Sequence, residues 1–330
     1  MDSSHSTNSP ITTIHSDIIQ SHILSRLDGT SLTSAASTAS HLNRLCTEHH
    51  LWQKISTATW PSLNDPIAKS FISTFPSSHR SIFSDSFPSV DYSSSCASPS
   101  ISTVSSSSSS SLTRELISAV DLYYKGKPVF SKILRTDTHK GWFLCSPLWI
   151  EILEPNEVIQ TSIKFEQNDV VEWLEENLTL SWIMIEPTRK RSVNLSSRLP
   201  VTVRRHWLTG ELEVLYAVVM GLVQCTIKVT CCGKPGGEMH VREVSFSMED
   251  MDGRHMVGRD SLVILQGAME KGERKKVDVE ESKKRFEKFY LMKRERRERR
   301  LRREKAIDMF IMLVAIVIFA FLFRFVRFWV

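Results

Sequence analysis

The chain has 330 residues, of which 41% are hydrophobic, and this apolar content excludes a protein that is disordered throughout. The formal charge of +5 is unevenly distributed, because residues 1–270 carry a net charge of −5 and residues 271–330 carry +10. The six cysteines show no closely spaced framework, which indicates reduced thiols on the cytosolic side rather than a disulfide-stapled secreted domain.

The first predicted domain covers residues 14–61 and follows a polar segment, 1–13, that we expect to be disordered. Apolar residues from Ile18 to Leu27 recur at helical spacing behind Ser16, a candidate N-cap. Asp28-Gly29 is expected to end this helix, with Gly29 in a left-handed conformation, and shorter helices should follow. A unit this small buries little surface alone, so we expect a partner protein to cover part of it.

Residues 62–112 are predicted to form a linker. Thirteen of the 19 residues from Ser93 to Ser111 are serine, and such a tract cannot bury enough apolar surface to offset its ordering entropy.

Residues 113–271 are predicted to form an antiparallel, sandwich-like β domain. Short runs alternate with period two, as in Val201 to Trp207, Ile227 to Cys231 and Val244 to Met248. Turn-forming glycines separate these runs, and no helix is expected between the strands. A helix should close the domain over Asp260 to Lys271, capped by Asp260.

The C-terminal part is predicted to be a basic helix over residues 277–306 that runs into a transmembrane segment over residues 307–330. Met309 to Phe323 is fifteen consecutive apolar residues, which is short for a bilayer unless Arg324 and Arg327 extend to the far interface. The alternative is a hydrophobic helix packed inside the protein. Basic residues beside the apolar run favour the membrane. These flanking residues are Arg299, Arg300, Arg302, Arg303, Lys305, Arg324 and Arg327.

The first domain resembles an F-box. The similarity lies in Ile14-His15-Ser16-Asp17-Ile18-Ile19, in Ile23 to Gly29, in Leu32 and in Leu51-Trp52. It is closest to plant F-box proteins in which the motif ends in Trp-Pro-Ser, as in Trp60-Pro61-Ser62, and extends over residues 14–270. His15 is a departure, since the family usually has proline there, and weaker adaptor binding is the expected consequence.

The resemblance implies a small three-helix F-box that binds a Skp-type adaptor and, through it, a cullin in a ubiquitin ligase, while the β-rich domain selects an unknown protein substrate. Aliphatic side chains on such helices fill hydrophobic grooves of partners, although each of them could instead pack within the domain. The candidate adaptor-binding residues are Ile14, Asp17, Ile18, Ile19, Ile23, Leu24, Leu27, Leu32, Leu51 and Trp52.

We expect a non-catalytic protein without cofactor or metal. The sequence has no nucleophile elbow, phosphate-binding loop or zinc-protease motif. Cys225, Cys231, Cys232 and His240 could be imagined as zinc ligands, but alternation places Cys231 and Cys232 on opposite faces of a strand. The basic run 293–305 could bind nucleic acid, but its position beside the apolar segment makes membrane lipid the expected partner instead.

The predicted function is that of a substrate receptor of a Skp-cullin-F-box (SCF) ubiquitin ligase, held on the cytosolic face of the endoplasmic reticulum or mitochondrial outer membrane by a single-pass tail anchor. The alternative is a membrane tether or lectin-like binding protein whose F-box-like helices are only structural. Five tryptophans of the β domain could line a ligand pocket, although aromatic residues in such a domain more often pack in its core. These are Trp142, Trp149, Trp173, Trp182 and Trp207.

Overall fold

The computed structural model describes residues 15–88, 90–91, 113–164, 170–234, 236–274 and 279–329. Its N-terminal part is a helical module. A first turn, α1 (Ser16–Ile18), continues as a π-helical turn over Ile19–Ile23 and a 3-10 turn over Leu24–Arg26. The remaining helices are α2 (Gly29–Thr38), α3 (Ser40–Cys46), α4 (His49–Thr59), a 3-10 turn (Pro61–Asn64), α5 (Pro66–Ile72) and α6 (His79–Ser86).

The helix starts differ from expectation in two places. His15, rather than Ser16, is the N-cap of α1, and its ring accepts a hydrogen bond from the backbone N–H of Asp17. Asp28 caps α2 by accepting from the backbone N–H of Ser31 at 2.8 Å, so Gly29 is the first residue of a helix and not a left-handed terminator. Position 29 requires glycine for a steric reason instead, since a Cβ there would lie 2.2 Å from Phe83 Cζ.

The predicted linker is helical in its first part. The turn Pro61–Asn64 and helices α5 and α6 occupy residues 61–86, where a linker was expected from residue 62. Leu63, Ile72 and Ile82 are fully buried, so this segment contributes a packed apolar face despite its serine content. The serine tract at 93–111, like residues 1–13 and Ile14, lies outside the described residues.

Two antiparallel sheets form the β domain, as predicted. Sheet 1 comprises β2 (Glu115–Tyr124), β3 (Lys127–Asp137), β6 (Leu178–Glu186) and β7 (Arg191–Asn194). Sheet 2 comprises β4 (Trp149–Glu151), β5 (Ile159–Lys164), β8 (Thr202–Arg205), β9 (Leu212–Met220), β10 (Val223–Gly233) and β11 (Glu238–Asp250). The strand order is β3-β2-β6-β7 in sheet 1 and β4-β11-β10-β9-β8 in sheet 2, where β5 also pairs with β11.

The expectation of a domain without helices between its strands was wrong. Helices α7 (Gly141–Cys145) and α8 (Val170–Asn177) lie between strands, and α9 (Gly258–Lys271) follows the last strand of sheet 2. The α8 pattern was missed because its eight residues give little more than two turns of apolar periodicity. Asp260 lies in the first turn of α9, two residues inside its start, so it is not the cap.

A shared apolar core joins the helical module to the β domain. Sheet 1 turns one face towards sheet 2, where Val120 and Trp182 lie in the sandwich core. On its other face, Ile117, Ala119 and Ile183 join the core of the helical module. The molecule is therefore layered as helices, sheet 1 and sheet 2, and the outer face of sheet 1 completes the core of the helical module.

The last helix, α10 (Val279–Trp329), begins on the outer face of sheet 2 and contacts β9. Phe289 is only 1% exposed, while Lys283 pairs with Glu175 of α8 and Lys293 pairs with Glu249 of β11. From residue 294 onward its described side chains are exposed or half-buried. A short ribbon, β1 (Val90–Asp91) with β12 (Glu273–Arg274), precedes the helix.

Candidate functional site

The first turns of the helical module divide their apolar residues between an inner and an outer side. Ile19 and Leu24 are each 2% exposed and lie in the module core, whereas Ile18 and Ile23 are 50% and 46% exposed. Each pair is five residues apart, and the π-helical turn brings residues at this spacing nearer to one side than an α-helix would. The outer pair is thus a half-exposed apolar surface at the edge of the module.

Polar residues border the outer pair. Asp17 is exposed, and with Gln20, Ser21 and His50 it lines a shallow depression of about 240 Å³. Leu27 is half-buried against the module core. This surface joins apolar side chains to an acidic group, a combination suited to a protein partner.

The other candidate adaptor residues lie inside the module. Leu32, Leu51 and Trp52 are buried, and the Trp52 indole N–H donates to the backbone oxygen of Cys46 at 2.7 Å. Trp52 also packs against Phe83 of α6. Sequence periodicity marked these residues as apolar positions of the module, but it could not show that α6 supplies neighbours to them.

Polar contacts fix this module to sheet 1. Asp121 of β2 accepts from the backbone N–H of Ser62 at 2.8 Å and from its hydroxyl at 2.6 Å. Burial raises the pKa of the Asp121 carboxyl, while hydrogen bonds from Ser131 and Ser62 act in the opposite direction. The Tyr123 hydroxyl donates to the backbone oxygen of Thr59, beside the same junction. Sequence reasoning missed these residues, since no local pattern links positions about sixty apart.

The predicted membrane-flank residues lie on the exposed part of α10. Arg299 pairs with Glu295 at 2.7 Å, and Arg302 pairs with Glu298. Arg300 pairs with Glu304. The remaining members of this set are exposed: Arg303, Lys305, Arg324 and Arg327. By length and composition, the helix is long and apolar enough to cross a membrane.

The cysteines and tryptophans of the β domain lie in different environments. Cys225 and Cys231 face the sandwich core, where burial raises the pKa of both thiols, that of Cys231 to about 12. In the described part of the chain, no group of three or more His, Cys, Asp or Glu residues is placed to hold a metal ion. Trp182 is a core residue, whereas Trp142 and Trp207 are exposed.

Comparison with known proteins decides the family. F-box protein At2g27310 of Arabidopsis thaliana is 43% identical over 335 residues, which cover 96% of each chain. The chain belongs to the plant F-box proteins. Probable F-box protein At2g36090 is 44% identical over 86% of this chain and 83% of its own, and F-box protein At3g44326 is 42% identical over 78% and 74%. Both are also from Arabidopsis thaliana.

The similarity covers far more of this F-box protein than the helical module. The first relative matches 96% of the chain, so the match extends over most of the β domain and α10 as well. No protein-family model matches the sequence, and no solved structure matches it. The resemblance stated from Ile14 to Trp60 is therefore confirmed at the level of the family.

Proposed function

We propose that this F-box protein is a non-catalytic substrate receptor of an SCF ubiquitin ligase. The observation that carries the proposal is the similarity to three F-box proteins over most of the chain. The helical module would dock a Skp-type adaptor that is itself bound to a cullin, and the β domain would hold the target. Its contribution is proximity, which raises the effective concentration of target lysines near the charged ubiquitin.

Within the module, the proposed adaptor contacts are the residues that a partner can reach. Ile18, Ile23 and Asp17 are exposed, and Leu27 is half-buried. Ile19, Leu24, Leu32, Leu51 and Trp52 would instead support this surface from beneath, because their side chains are buried. His15, in the position of the family's usual proline, would adjoin the surface through its cap on α1.

The attachment of the module to sheet 1 supports the receptor role. Ser62 and Asp121 are joined by two hydrogen bonds at the junction, and Ile117 and Ile183 belong to the module core. A target on the β domain would then be held at a fixed distance from the adaptor. Geometric constraint of this kind is how a non-catalytic subunit accelerates a bimolecular transfer.

We further propose that residues 307–330 anchor the protein in a membrane with the helical module and β domain in the cytosol. The exposed apolar side chains of α10 and the basic residues that precede them support this assignment. A short apolar core suits a thin bilayer, such as that of the endoplasmic reticulum, and the mitochondrial outer membrane is the other candidate. Targets would then be confined to proteins at that surface.

The adaptor assignment is tested with the double variant Ile18→Asp, Ile23→Asp. Both side chains are about half exposed, so charges at these positions should leave the module folded but disrupt an apolar interface. We expect capture of a purified Skp-type adaptor by the full chain to fall at least tenfold, by analogy with interface hot spots of about 2 kcal/mol or more.

The matched control is Ile67→Asp on α5, where the side chain is 43% exposed in the same module. Adaptor capture should be unchanged in this variant. Equal capture by the wild type and the double variant would contradict the assignment, and would favour a membrane tether with structural F-box helices.

A further inference from the structure

The tip of the hairpin that joins β8 to β9 exposes two large apolar side chains. Trp207 is 88% exposed and Leu208 is 71% exposed. The His206 ring stacks beside the Trp207 ring, with centroids 6.3 Å apart and planes inclined by 26°. Single exposed apolar residues are common on protein surfaces, whereas a tryptophan and a leucine side by side on one turn form a small apolar patch.

Polar contacts hold the backbone of this tip in one conformation. The His206 backbone N–H donates to the Glu211 backbone oxygen at 2.7 Å, and the Gly210 N–H donates to the His206 backbone oxygen at 2.9 Å. The Thr209 N–H donates to Nδ1 of His206, while the Thr209 hydroxyl donates to the Glu211 carboxylate at 3.1 Å. The turn is therefore braced around two apolar side chains that face solvent. A tip that is already ordered loses little conformational entropy on binding.

Ion pairs border the tip. Arg242 of β11 pairs with Glu211 at 2.6 Å, and Arg204 of β8 pairs with Glu213 of β9 at 2.6 Å. Both arginines are thereby neutralised, whereas an anionic lipid surface or a nucleic acid is bound by unpaired cations. An apolar centre inside a polar rim is instead the composition of a protein interface.

The tip lies at the end of sheet 2 that is remote from the proposed membrane segment. At Lys283, α10 pairs with α8 beside β8. Further along, Lys293 pairs with Glu249, which aligns across β10 with Val219, seven residues from the start of β9. Seven residues of a strand span about 23 Å, so α10 runs along sheet 2 away from the tip. Residue 307 lies about 21 Å further along the helix, and a bilayer there does not reach the tip.

We infer that Trp207 and Leu208 are the anchor with which the β domain enters an apolar pocket on a cytosolic target protein. Tryptophan is among the residues enriched in interface hot spots, which are apolar centres that a polar rim shields from water. A second copy of this chain does not suit the tip. An aromatic side chain contributes at most about 250 Å², so two facing tips would bury far less than the roughly 1,200 Å² of a stable interface.

The position of the tip also separates the target from the adaptor. The helical module covers the outer face of sheet 1, whereas the tip belongs to sheet 2. One molecule can therefore hold both partners without contact between their binding surfaces. The description of the bound protein as a target rests on the proposed receptor function, whereas binding at the tip does not.

The first step of the test identifies the proteins that contact the tip. The full chain with Leu208→benzoylphenylalanine is expressed in plant cells and irradiated. Leu222→benzoylphenylalanine is the matched control, because Leu222 is half-exposed in the β9–β10 turn at the other end of β9. We expect at least one protein to be crosslinked from position 208 alone. Crosslinks to lipid alone, the same proteins from both positions, or no crosslinked protein would overturn the inference.

The second step measures binding of that purified protein to the full chain in detergent micelles. Trp207→Ser should weaken binding at least tenfold, as is usual when a tryptophan at an interface centre is truncated. Thermal unfolding of this variant should match that of the wild type, because the side chain is exposed. Trp142→Ser removes another exposed tryptophan, on α7, and should leave binding unaltered. Equal binding by the wild type and Trp207→Ser, or equal weakening by both substitutions, contradicts the inference.

Ubiquitination of the same protein in cells separates this inference from the proposed receptor function. It should rise with the wild type, but neither with Trp207→Ser nor with the Ile18→Asp, Ile23→Asp double variant. Binding that depends on Trp207 without any rise in ubiquitination would support the anchor and refute the receptor function. A rise that needs Ile18 and Ile23 but persists in Trp207→Ser would refute the anchor and support the receptor function.

Discussion

A buried carboxylate sets much of the chemistry at the junction between the helical module and sheet 1. Asp121 is fully buried and receives two hydrogen bonds from Ser62, at the start of the turn that follows α4. The charged form of a buried carboxyl is unfavourable unless such donors remain in place. The stability of the junction therefore depends on a hydroxyl that appears unremarkable in a serine-rich sequence.

Ser62→Ala should lower the free energy of unfolding by about 1–3 kcal/mol, the usual cost of removing a partner from a buried polar group. The measurement is urea unfolding of the full chain in detergent, with Ser70→Ala on α5, an exposed serine, as the control expected to change little. An equal loss in both variants would show that the Ser62 hydroxyl has no special role.

The loss of unfolding free energy in Ser62→Ala should depend on pH. Burial raises the pKa of Asp121 above its ordinary value of 3.8, and the Ser62 hydroxyl lowers it, so Ser62→Ala should raise it further. In the range between the two folded-state pKa values, the folded variant binds more protons than the folded wild type, and its relative stability falls as pH rises. The loss of stability should be smallest below the folded-state pKa of Asp121 in the wild type and reach its full size above the pKa of Asp121 in the variant.

Helix α10 is a single helix that lies in two different environments. Its first fifteen residues, 279–293, lie against sheet 2, held by the buried Phe289 and by ion pairs of Lys283 and Lys293. Beyond this segment the helix has no packing partner among the described residues, and i,i+4 ion pairs such as Glu295 with Arg299 support it. Phe289 is the one side chain of residues 279–293 that is buried rather than half-buried or exposed.

Phe289→Ala should release residues 279–293 from sheet 2, because truncating a buried phenylalanine costs about 3–5 kcal/mol. Limited trypsin digestion of the full chain measures this, since Lys283, Lys284 and Lys288 lie in the docked segment. Tyr290→Ala is the control, as this neighbouring ring is 59% exposed. Unchanged cleavage in Phe289→Ala would show that the ion pairs alone hold the segment.

The sequence predicted elements where periodicity was strong and unbroken. Alternation identified the strands around Val203, Ile227 and Phe246, and the basic and apolar runs identified α10. Helices α5 and α6 were missed because serines interrupt their apolar positions, so composition indicated a linker. The inner and outer sides of the first helix were not separable either, because Ile18 and Ile19 are equally apolar, and only the π-helical turn and the burial of Ile19 in the module core distinguish them.

For the whole molecule, the layers place the proposed adaptor surface and the start of α10 on opposite sides of the β sandwich. The helical module covers the outer face of sheet 1, and α10 crosses the outer face of sheet 2. No fold-level pattern in the sequence could predict this arrangement, since it depends on the second face of sheet 1. Alternating strands normally turn that face to solvent.

Deletion of residues 307–330 should convert a membrane-bound protein into a soluble one. The wild type should resist extraction by alkaline carbonate, because the exposed apolar side chains from Met309 to Phe321 would lie in lipid. Deletion of residues 93–111, which removes a segment of similar length, is the control and should leave membrane association intact. A wild-type protein released fully by carbonate would refute the anchor.

The uninterrupted course of α10 from sheet 2 to its last described turn has a rotational consequence. Each residue of an α-helix advances about 1.5 Å and turns about 100°. An insertion between residues 294 and 306 would therefore rotate the helical module and β domain about the helix axis, relative to the C-terminal part of α10. One added residue would rotate the module by about 100° around the axis, whereas seven added residues would bring it close to its original orientation. The number of residues in this segment therefore sets the angle, about the axis of α10, between the helical module and the C-terminal part of the helix.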